Sequence, residues 1–162
     1  MIPTRRRLEY ASGYLGLGML AAAEKELDLI EGEAAESRAV LRLRVELYHE
    51  TKHWKRLAKA GAALARVAAD DEQGWISWAY ALRELNRVDE AQDVLRRAEP
   101  RHGKASAVLH YNLACYACLL GDRDEAKRRL ALACEMDAEF RESAREDPDL
   151  EAMRDELDLG LD

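Results

Sequence analysis

The most informative pattern in this chain lies in residues 75–98, WISWAYALRELNRVDEAQDVLRRA, and again in residues 110–133, HYNLACYACLLGDRDEAKRRLALA. In both stretches a small residue is followed seven positions later by a turn-forming residue, and five positions after that by alanine. Apolar residues then follow four and seven positions beyond the alanine. Since the two stretches are 35 residues apart and share all of these spacings, they indicate an internal repeat.

The same pattern extends toward the N-terminus in steps of 34 residues and divides most of the chain into four units. Within each unit the apolar residues follow helical spacing on both sides of one central residue, which predicts a helical hairpin. Glycine and asparagine tolerate the left-handed backbone that ends a helix, whereas lysine adopts it at some cost. The predicted units are 4–37, 38–71, 72–106 and 107–140, and their first helices are predicted to end at Gly18, Lys52, Asn86 and Gly121.

In the first, third and fourth units, small side chains occupy the positions at which the two helices of a hairpin would face each other, and they predict a close approach of these helices. These residues are Ala11, Ala79 and Ala114 in the first helices and Ala23, Ala91 and Ala126 in the second helices.

A shorter segment, residues 141–162, follows the fourth unit and is predicted to cap the repeats. Asp137 is placed to cap a helix from about residue 138 to 146, and Asp147 followed by proline is placed to begin another. The apolar side of this last piece consists of Leu150, Met153 and Leu157.

The composition supports a single all-α domain spanning residues 1–162. The chain is 48% hydrophobic, 35% charged and 6% aromatic, a mixture that favours helices. Its net charge of −7 argues against a nucleic-acid partner, and its apolar runs are too short to cross a membrane. Three cysteines, an odd number, favour a reducing cytoplasm. Residues 5–23 have some features of a secretory signal, but Glu9 and two glycines interrupt them, so we expect a cytoplasmic protein.

The repeat resembles that of the tetratricopeptide repeat family, most closely in the third and fourth units. The resemblance implies a right-handed superhelical stack of four helix-turn-helix repeats with a C-terminal capping segment. The sequence departs from the family pattern at Arg7, Arg44, Gly61 and His110, where larger or apolar residues are usual, and at Ala117, where an aromatic residue is usual.

The resemblance also implies a function, a non-enzymatic scaffold that binds a peptide or a partner protein in a concave groove lined by the first helices. The groove residues that it implies are Leu8, Arg42, Leu43, His49, Ile76, Tyr80, Arg83, Tyr111, Asn112 and Cys115. Two alternatives stay open: a self-assembling module, including a homodimer, and a small export or assembly chaperone. One subfamily binds the C-terminal carboxylate of chaperones through lysine and asparagine, but here the corresponding positions hold Leu8, Ser12, Leu43, Gln73 and Ser77.

Two short motifs could carry chemistry, and both are interpreted as structural. Residues 49–53, HETKH, match the H-E-x-x-H motif of zinc hydrolases, which needs both histidines on one uninterrupted helix. The repeat instead places Lys52 at a turn and His53 beyond the helix. Cys115 and Cys118 form a C-x-x-C without the second pair that a zinc site needs, and they are predicted to pack within a helix. We therefore expect no metal, cofactor or catalytic residue.

Overall fold

The computed structural model describes residues 1–157 and is all-α within them, as predicted. The chain forms two compact units, residues 1–85 and 86–162. That residues 1–162 act as one domain stays a prediction. The helices of the first unit are α1 (Thr4–Gly16), α2 (Leu20–Asp28), α3 (Arg38–Glu50), α4 (Trp54–Val67) and α5 (Glu72–Glu84), with a 3₁₀ segment at Gly32–Glu36. Those of the second are α6 (Val88–His102), α7 (Ala107–Leu119), α8 (Arg123–Met136), α9 (Phe140–Glu146) and α10 (Arg154–Leu157), with a 3₁₀ segment at Pro148–Met153.

The four predicted turn residues each adopt a left-handed backbone. Their φ angles are +69° at Gly18, +55° at Lys52, +60° at Asn86 and +84° at Gly121. Each lies between the two helices of a predicted hairpin, so the predicted helix ends are confirmed. Lys52 and Asn86 are the only described residues other than glycine with a positive φ. At Lys52 the β-carbon makes this conformation costly.

In the first unit, α1 pairs with α2 and α3 pairs with α4, while α1 contacts α3 and α3 contacts α5. The predicted small residues Ala11 and Ala23 are fully buried. Arg7 is one of the departures from the family pattern, and its guanidinium donates to the Glu26 carboxylate at 2.9 Å. This largely buried ion pair ties α1 to α2. Two apolar clusters form the core of this unit. The fully buried members of the first cluster include Leu27, Val40 and Leu47, and those of the second include Leu57 and Leu64.

Two glycines let α4 and α5 pack backbone against backbone. A β-carbon at Gly61 would lie 2.7 Å from the Trp78 nitrogen, and one at Gly74 would lie 2.7 Å from the Ala65 nitrogen. Both distances are shorter than a β-carbon can tolerate, so only glycine fits at either position. Gly61, another departure from the family pattern, is therefore explained by this close approach.

In the second unit α7 pairs with α8, and the predicted small residues Ala114 and Ala126 are fully buried. Asp122 accepts a hydrogen bond from the Glu125 nitrogen at 3.2 Å and so caps α8. Ala117, where the family has an aromatic residue, is also fully buried in α7. No helix among the described residues combines the length and the apolar character needed to cross a bilayer.

The capping segment packs against α7 and α8. Asp147 caps the 3₁₀ segment by accepting from the Asp149 nitrogen at 2.9 Å, and Leu150, Met153 and Leu157 are buried, as predicted. The preceding helix begins at Phe140, two residues later than expected, because residues 137–139 form a turn closed by the Asp137 carboxylate. The predicted cap runs to residue 162, and residues 158–162 lie outside the described part of the chain.

Candidate functional site

The predicted groove residues of the first unit lie on α1, α3 and α5, and we call this surface the α1–α3–α5 face. Leu8 on α1 and Leu43 on α3 are half-buried and pack against the first apolar cluster. Ile76 on α5 is also half-buried. Consecutive first helices are neighbours, and that these side chains line one groove stays a prediction.

One of the predicted groove cations is tied to a buried carboxylate. The Arg42 guanidinium donates to Asp71 at 3.1 Å, and Arg38 donates to the same oxygen at 3.2 Å. Asp71 is only 7% exposed and also accepts from the Gln73 nitrogen at the start of α5. This carboxylate therefore links α3 to α5, and the exposed half of Arg42 is held in a fixed position. Arg83, the second cation, is half-buried with its guanidinium 3.9 Å from Glu84.

Three rings meet at the edge of the α1–α3–α5 face, where α3 and α5 approach the start of α4. The His49 ring centroid lies 5.2 Å from that of Tyr80 and 6.3 Å from that of Trp54, and the Trp54 and Tyr80 rings are 5.9 Å apart. His49 is exposed, whereas Trp54 and Tyr80 are half-buried. We call these three residues the ring cluster. Trp54 was not among the predicted groove residues. Its helical spacing is typical of a packing residue at the start of a second helix, so the sequence gives no signal of its place beside His49 and Tyr80.

The histidines of the HETKH motif belong to different segments of backbone, as predicted. Helix α3 ends at Glu50, Lys52 reverses the chain, and His53 precedes α4 as its N-cap. The His53 Nδ1 lies 3.1 Å from the Thr51 hydroxyl, while the His49 ring contacts Tyr80. The uninterrupted helix that a zinc hydrolase requires is therefore not formed here.

In the second unit, the predicted groove residue Tyr111 faces the capping segment. Its side chain is buried, with 7% exposure, and its hydroxyl donates to the Asp147 carboxylate at 2.7 Å. Its ring stacks on Phe140 with centroids 4.5 Å apart. Burial and the negative charge of Asp147 raise the pKa of Tyr111, so the phenol stays protonated and remains a donor. Asn112, next to it, is half-buried.

Cys115 faces the same segment. Its thiol donates to Asp147 at 3.7 Å, and its sulfur lies within 4.8 Å of carboxylate oxygens of both Asp147 and Asp149. Burial and these two negative charges raise the pKa of the Cys115 thiol, which keeps it protonated. Cys118 is also a buried free thiol in the middle of α7, so the prediction that the C-x-x-C pair packs within a helix is confirmed.

A buried ionic network joins α6, α7 and α8, and sequence analysis did not detect it. The Arg129 guanidinium, 5% exposed, donates to Glu99 at 2.5 and 2.9 Å and to Glu125 at 2.7 Å. It also lies 3.0 Å from His110 Nδ1, whose Nε2 is 2.7 Å from the Gly103 carbonyl. Both ring nitrogens of His110 therefore have a polar neighbour, which explains the polar residue at this position.

The arginines lower the pKa of both carboxyl groups in this network. Hydrogen bonds from Arg128 and then Arg129 lower the pKa of Glu125 to about 2, and the bond from Arg129 lowers that of Glu99. Both groups are therefore ionised at neutral pH. Since Arg129 is buried among its partners, the network stabilises the packing of three helices rather than offering a surface for a ligand.

Three solved structures are similar to this chain at low sequence identity. MamA MSR-1 C2 has a TM-score of 0.75 at 18% identity, covering 85% of this chain and 79% of that one. TTC0263, a thermophilic TPR protein of Thermus thermophilus, has a TM-score of 0.68 at 19% identity, covering 98% and 88%. YrrB, described as a TPR protein with an unusual peptide-binding site, has a TM-score of 0.70 at 15% identity, covering 96% and 86%.

Sequence comparison adds no further relationship, since neither a protein-family model nor a curated protein matches the chain. The fold is therefore supported by the repeat pattern, the four left-handed turn residues and the similarity to known repeat structures. On these grounds the chain has the fold of the tetratricopeptide repeat proteins.

Proposed function

We propose that this protein is a non-enzymatic cytoplasmic scaffold that binds a peptide or a partner protein on its α1–α3–α5 face, without nucleic acid, membrane or cofactor. The observation that carries the proposal is the ring cluster of His49, Trp54 and Tyr80. His49 and Tyr80 are two of the groove residues that the family resemblance implies, and the ring of His49 is exposed.

The chemistry of the ring cluster suits an interface. Tyrosine and tryptophan combine a large apolar surface with one hydrogen-bonding group and lose little conformational entropy on binding. Such residues, with arginine, concentrate binding energy at the centres of interfaces. Arg42, held by Asp71, and the half-buried Leu43 lie on the same face and extend it with one cation and one apolar side chain.

In the second unit the corresponding helix is already covered. Tyr111 and Cys115 both donate to Asp147, and Tyr111 stacks on Phe140, so the chain's own capping segment contacts them. We therefore assign partner binding to Leu8, Arg42, Leu43, His49, Ile76, Tyr80 and Arg83, and we assign Tyr111 and Cys115 to holding the capping segment. The binding role expected for Asn112, which is half-buried on α7 of the second unit, stays a separate prediction.

Proteins with this fold support the proposal in a general way. Tetratricopeptide repeat proteins are, as a family, interaction scaffolds rather than enzymes. The description of YrrB names a peptide-binding site in that protein, and its structure covers 96% of this chain. An interaction role is thus the function that the fold favours, and the ring cluster is the part of this chain that would carry it.

Affinity capture from a lysate of the source cells tests the proposal, with bound proteins quantified by mass spectrometry. We expect at least one protein to be retained by the wild type and lost in the double variant His49→Ala, Tyr80→Ala. Because Tyr80 packs against the second apolar cluster, the milder His49→Glu serves as a second variant, and the melting temperature is measured for both. The control variant is Leu119→Ala, Leu120→Ala, which truncates two exposed apolar side chains elsewhere.

Loss of the same protein from the control variant would contradict the proposal, as would its retention by both ring-cluster variants. If the captured protein is one that undergoes export or assembly into a complex, the result would support the chaperone alternative. That alternative uses the same surface.

Self-association is a second candidate, favoured by apolar side chains exposed on the first hairpin. Leu17 is 75% exposed, Met19 50% and Tyr10 41%. Light scattering on the wild type and on the variant Leu17→Ser, Met19→Ser tests it. A particle of more than one chain that becomes a monomer in the variant would support a homodimer formed through this hairpin, and a monomeric wild type would exclude it.

A further inference from the structure

The first unit contains a cavity that the scaffold role does not use. It has a volume of about 240 Å³ and is bounded by α3, α4 and the 3₁₀ segment before α3. This volume is below the roughly 300–1,000 Å³ of sites for drug-sized ligands, so it suits a small group. Its lining consists of Glu36, Leu41, Arg44, Tyr48, Arg56, Lys59, Ala60 and Ala63.

Two of the three cations that line this cavity have no carboxylate partner. Arg56 donates to Glu24 at 2.6 Å, and Glu36 lies 3.9 Å from Arg66, so these charges are compensated. Within the described part of the chain, neither Arg44 nor Lys59 forms an ion pair. The lining therefore carries two uncompensated positive charges.

Arg44 is held with part of its guanidinium unsatisfied. Its Nη2 donates to the Leu27 carbonyl at 3.4 Å, while its Nε is buried and has no hydrogen-bond partner. A buried N–H group of a charged side chain without an acceptor is costly, so the Arg44 charge is only partly compensated, and Arg44 lines the cavity.

We propose that this cavity binds a phosphate monoester group. Guanidinium groups match phosphate oxygens with directed hydrogen bonds, and lysine is a common phosphate-binding point charge. A phosphate monoester carries about −1.5 to −2 charges at neutral pH, which balances Arg44 and Lys59, whereas a carboxylate would leave one charge uncompensated. Leu41, Ala60 and Ala63 offer apolar contacts to the carbon chain that bears the phosphate.

The tyrosine in the lining is consistent with this assignment. Tyr48 lines the cavity beneath the Arg56 guanidinium, which lies 5.7 Å from its ring centroid. Burial raises the pKa of Tyr48, so its hydroxyl stays protonated and can donate to an anion. The negative charge of Asp28 also raises the pKa of Tyr48, but Asp28 does not line the cavity.

Calorimetric titration of the full chain with inorganic phosphate at low ionic strength tests the proposal. We expect one saturable site, weakened about tenfold or more in Lys59→Gln and in Arg44→Gln, since each removes one charge-assisted interaction. Lys59 is exposed, so its variant isolates the charge from the fold even if Arg44→Gln destabilises the unit. Glu36→Gln should tighten binding because it removes the negative charge from the lining.

The control is Lys25→Gln, which removes one exposed lysine of the same unit that does not line the cavity. Equal weakening in this control, equal affinity for acetate, or no saturable site would overturn the proposal. Titration with a phosphoserine peptide then distinguishes the source of the phosphate. Tighter binding than inorganic phosphate would indicate a phosphorylated protein, and weaker binding would indicate a free small phosphate.

Discussion

The hydroxyl of Tyr111 donates to the carboxylate of Asp147 across 2.7 Å, and Asp147 also accepts from the Asp149 nitrogen at the start of the 3₁₀ segment. An equivalent arrangement occurs two repeats earlier, where Arg42 donates to Asp71 at 3.1 Å and Asp71 accepts from the Gln73 nitrogen. Asp71 is the N-cap of α5, and Asp147 is the N-cap of the 3₁₀ segment. Each carboxylate accepts a hydrogen bond from the same repeat position of a first helix, Arg42 of α3 or Tyr111 of α7. The 3₁₀ segment is therefore joined to α7, and α5 to α3, through the same repeat position.

Tyr111→Phe should lower the free energy of unfolding by about 1.5–3 kcal/mol, because it removes a buried hydrogen bond to a charged acceptor. The ring and its stacking on Phe140 are kept. Urea unfolding measures the loss, and Tyr10→Phe, at an exposed position, provides the control. An unchanged stability for Tyr111→Phe would mean that the hydrogen bond does not hold the capping segment.

Gly61→Ala should destabilise the first unit by about 1–3 kcal/mol or more, because the added β-carbon would meet the Trp78 backbone at 2.7 Å. Gly13→Ala is the matched control, since a β-carbon there meets nothing within 4 Å. It should instead stabilise α1 by about 0.5–1 kcal/mol through helix propensity. Thermal unfolding of both variants measures the contrast, and shifts of the same sign would contradict the backbone contact between α4 and α5.

Lys52→Gly should stabilise the chain by up to about 1 kcal/mol, since glycine adopts the φ of +55° without the steric cost of a β-carbon. Gly121→Ala, at a φ of +84°, should have the opposite effect. Urea unfolding measures both. A loss of stability in Lys52→Gly would show that the lysine side chain makes a contact that outweighs its backbone strain.

Acid should destabilise the second unit through the Arg129 network. Because Glu125 and Glu99 have lowered pKa values in the folded chain, their stabilisation is complete above the ordinary value of 4.5 and is lost as the pH falls toward about 2. Glu125→Gln should therefore lose less stability than the wild type between about pH 5 and about pH 2, by on the order of 1–3 kcal/mol. Urea unfolding across this range measures the difference, and identical pH profiles would contradict it.

The parts of the fold predicted from sequence are those with local causes. A left-handed backbone is needed at the end of each first helix, so Gly18, Lys52, Asn86 and Gly121 mark the turns by their spacing and mostly by their residue type. The small alanines and the Asp147 cap are likewise visible in short stretches.

The contacts that were not predicted have long-range causes. Arg129, Glu99 and His110 look like solvated helix residues, and only the packing of three helices brings them together in a buried network. The helical pattern places Tyr111 on the inner side of its repeat, but it does not show that Asp147 and Phe140 cover that side. Trp54 joins the ring cluster because α3, α4 and α5 meet there.

Site-specific photocrosslinking tests most directly whether the ring cluster is the binding surface. Benzoylphenylalanine is placed at the exposed position of His49 and, as a control, at the exposed position of Lys25, and irradiated lysates of the source cells are examined by mass spectrometry. We predict a covalent adduct with another protein from position 49 and none with that protein from position 25. An adduct formed equally from both positions, or only with a second copy of this chain, would contradict partner binding at the α1–α3–α5 face.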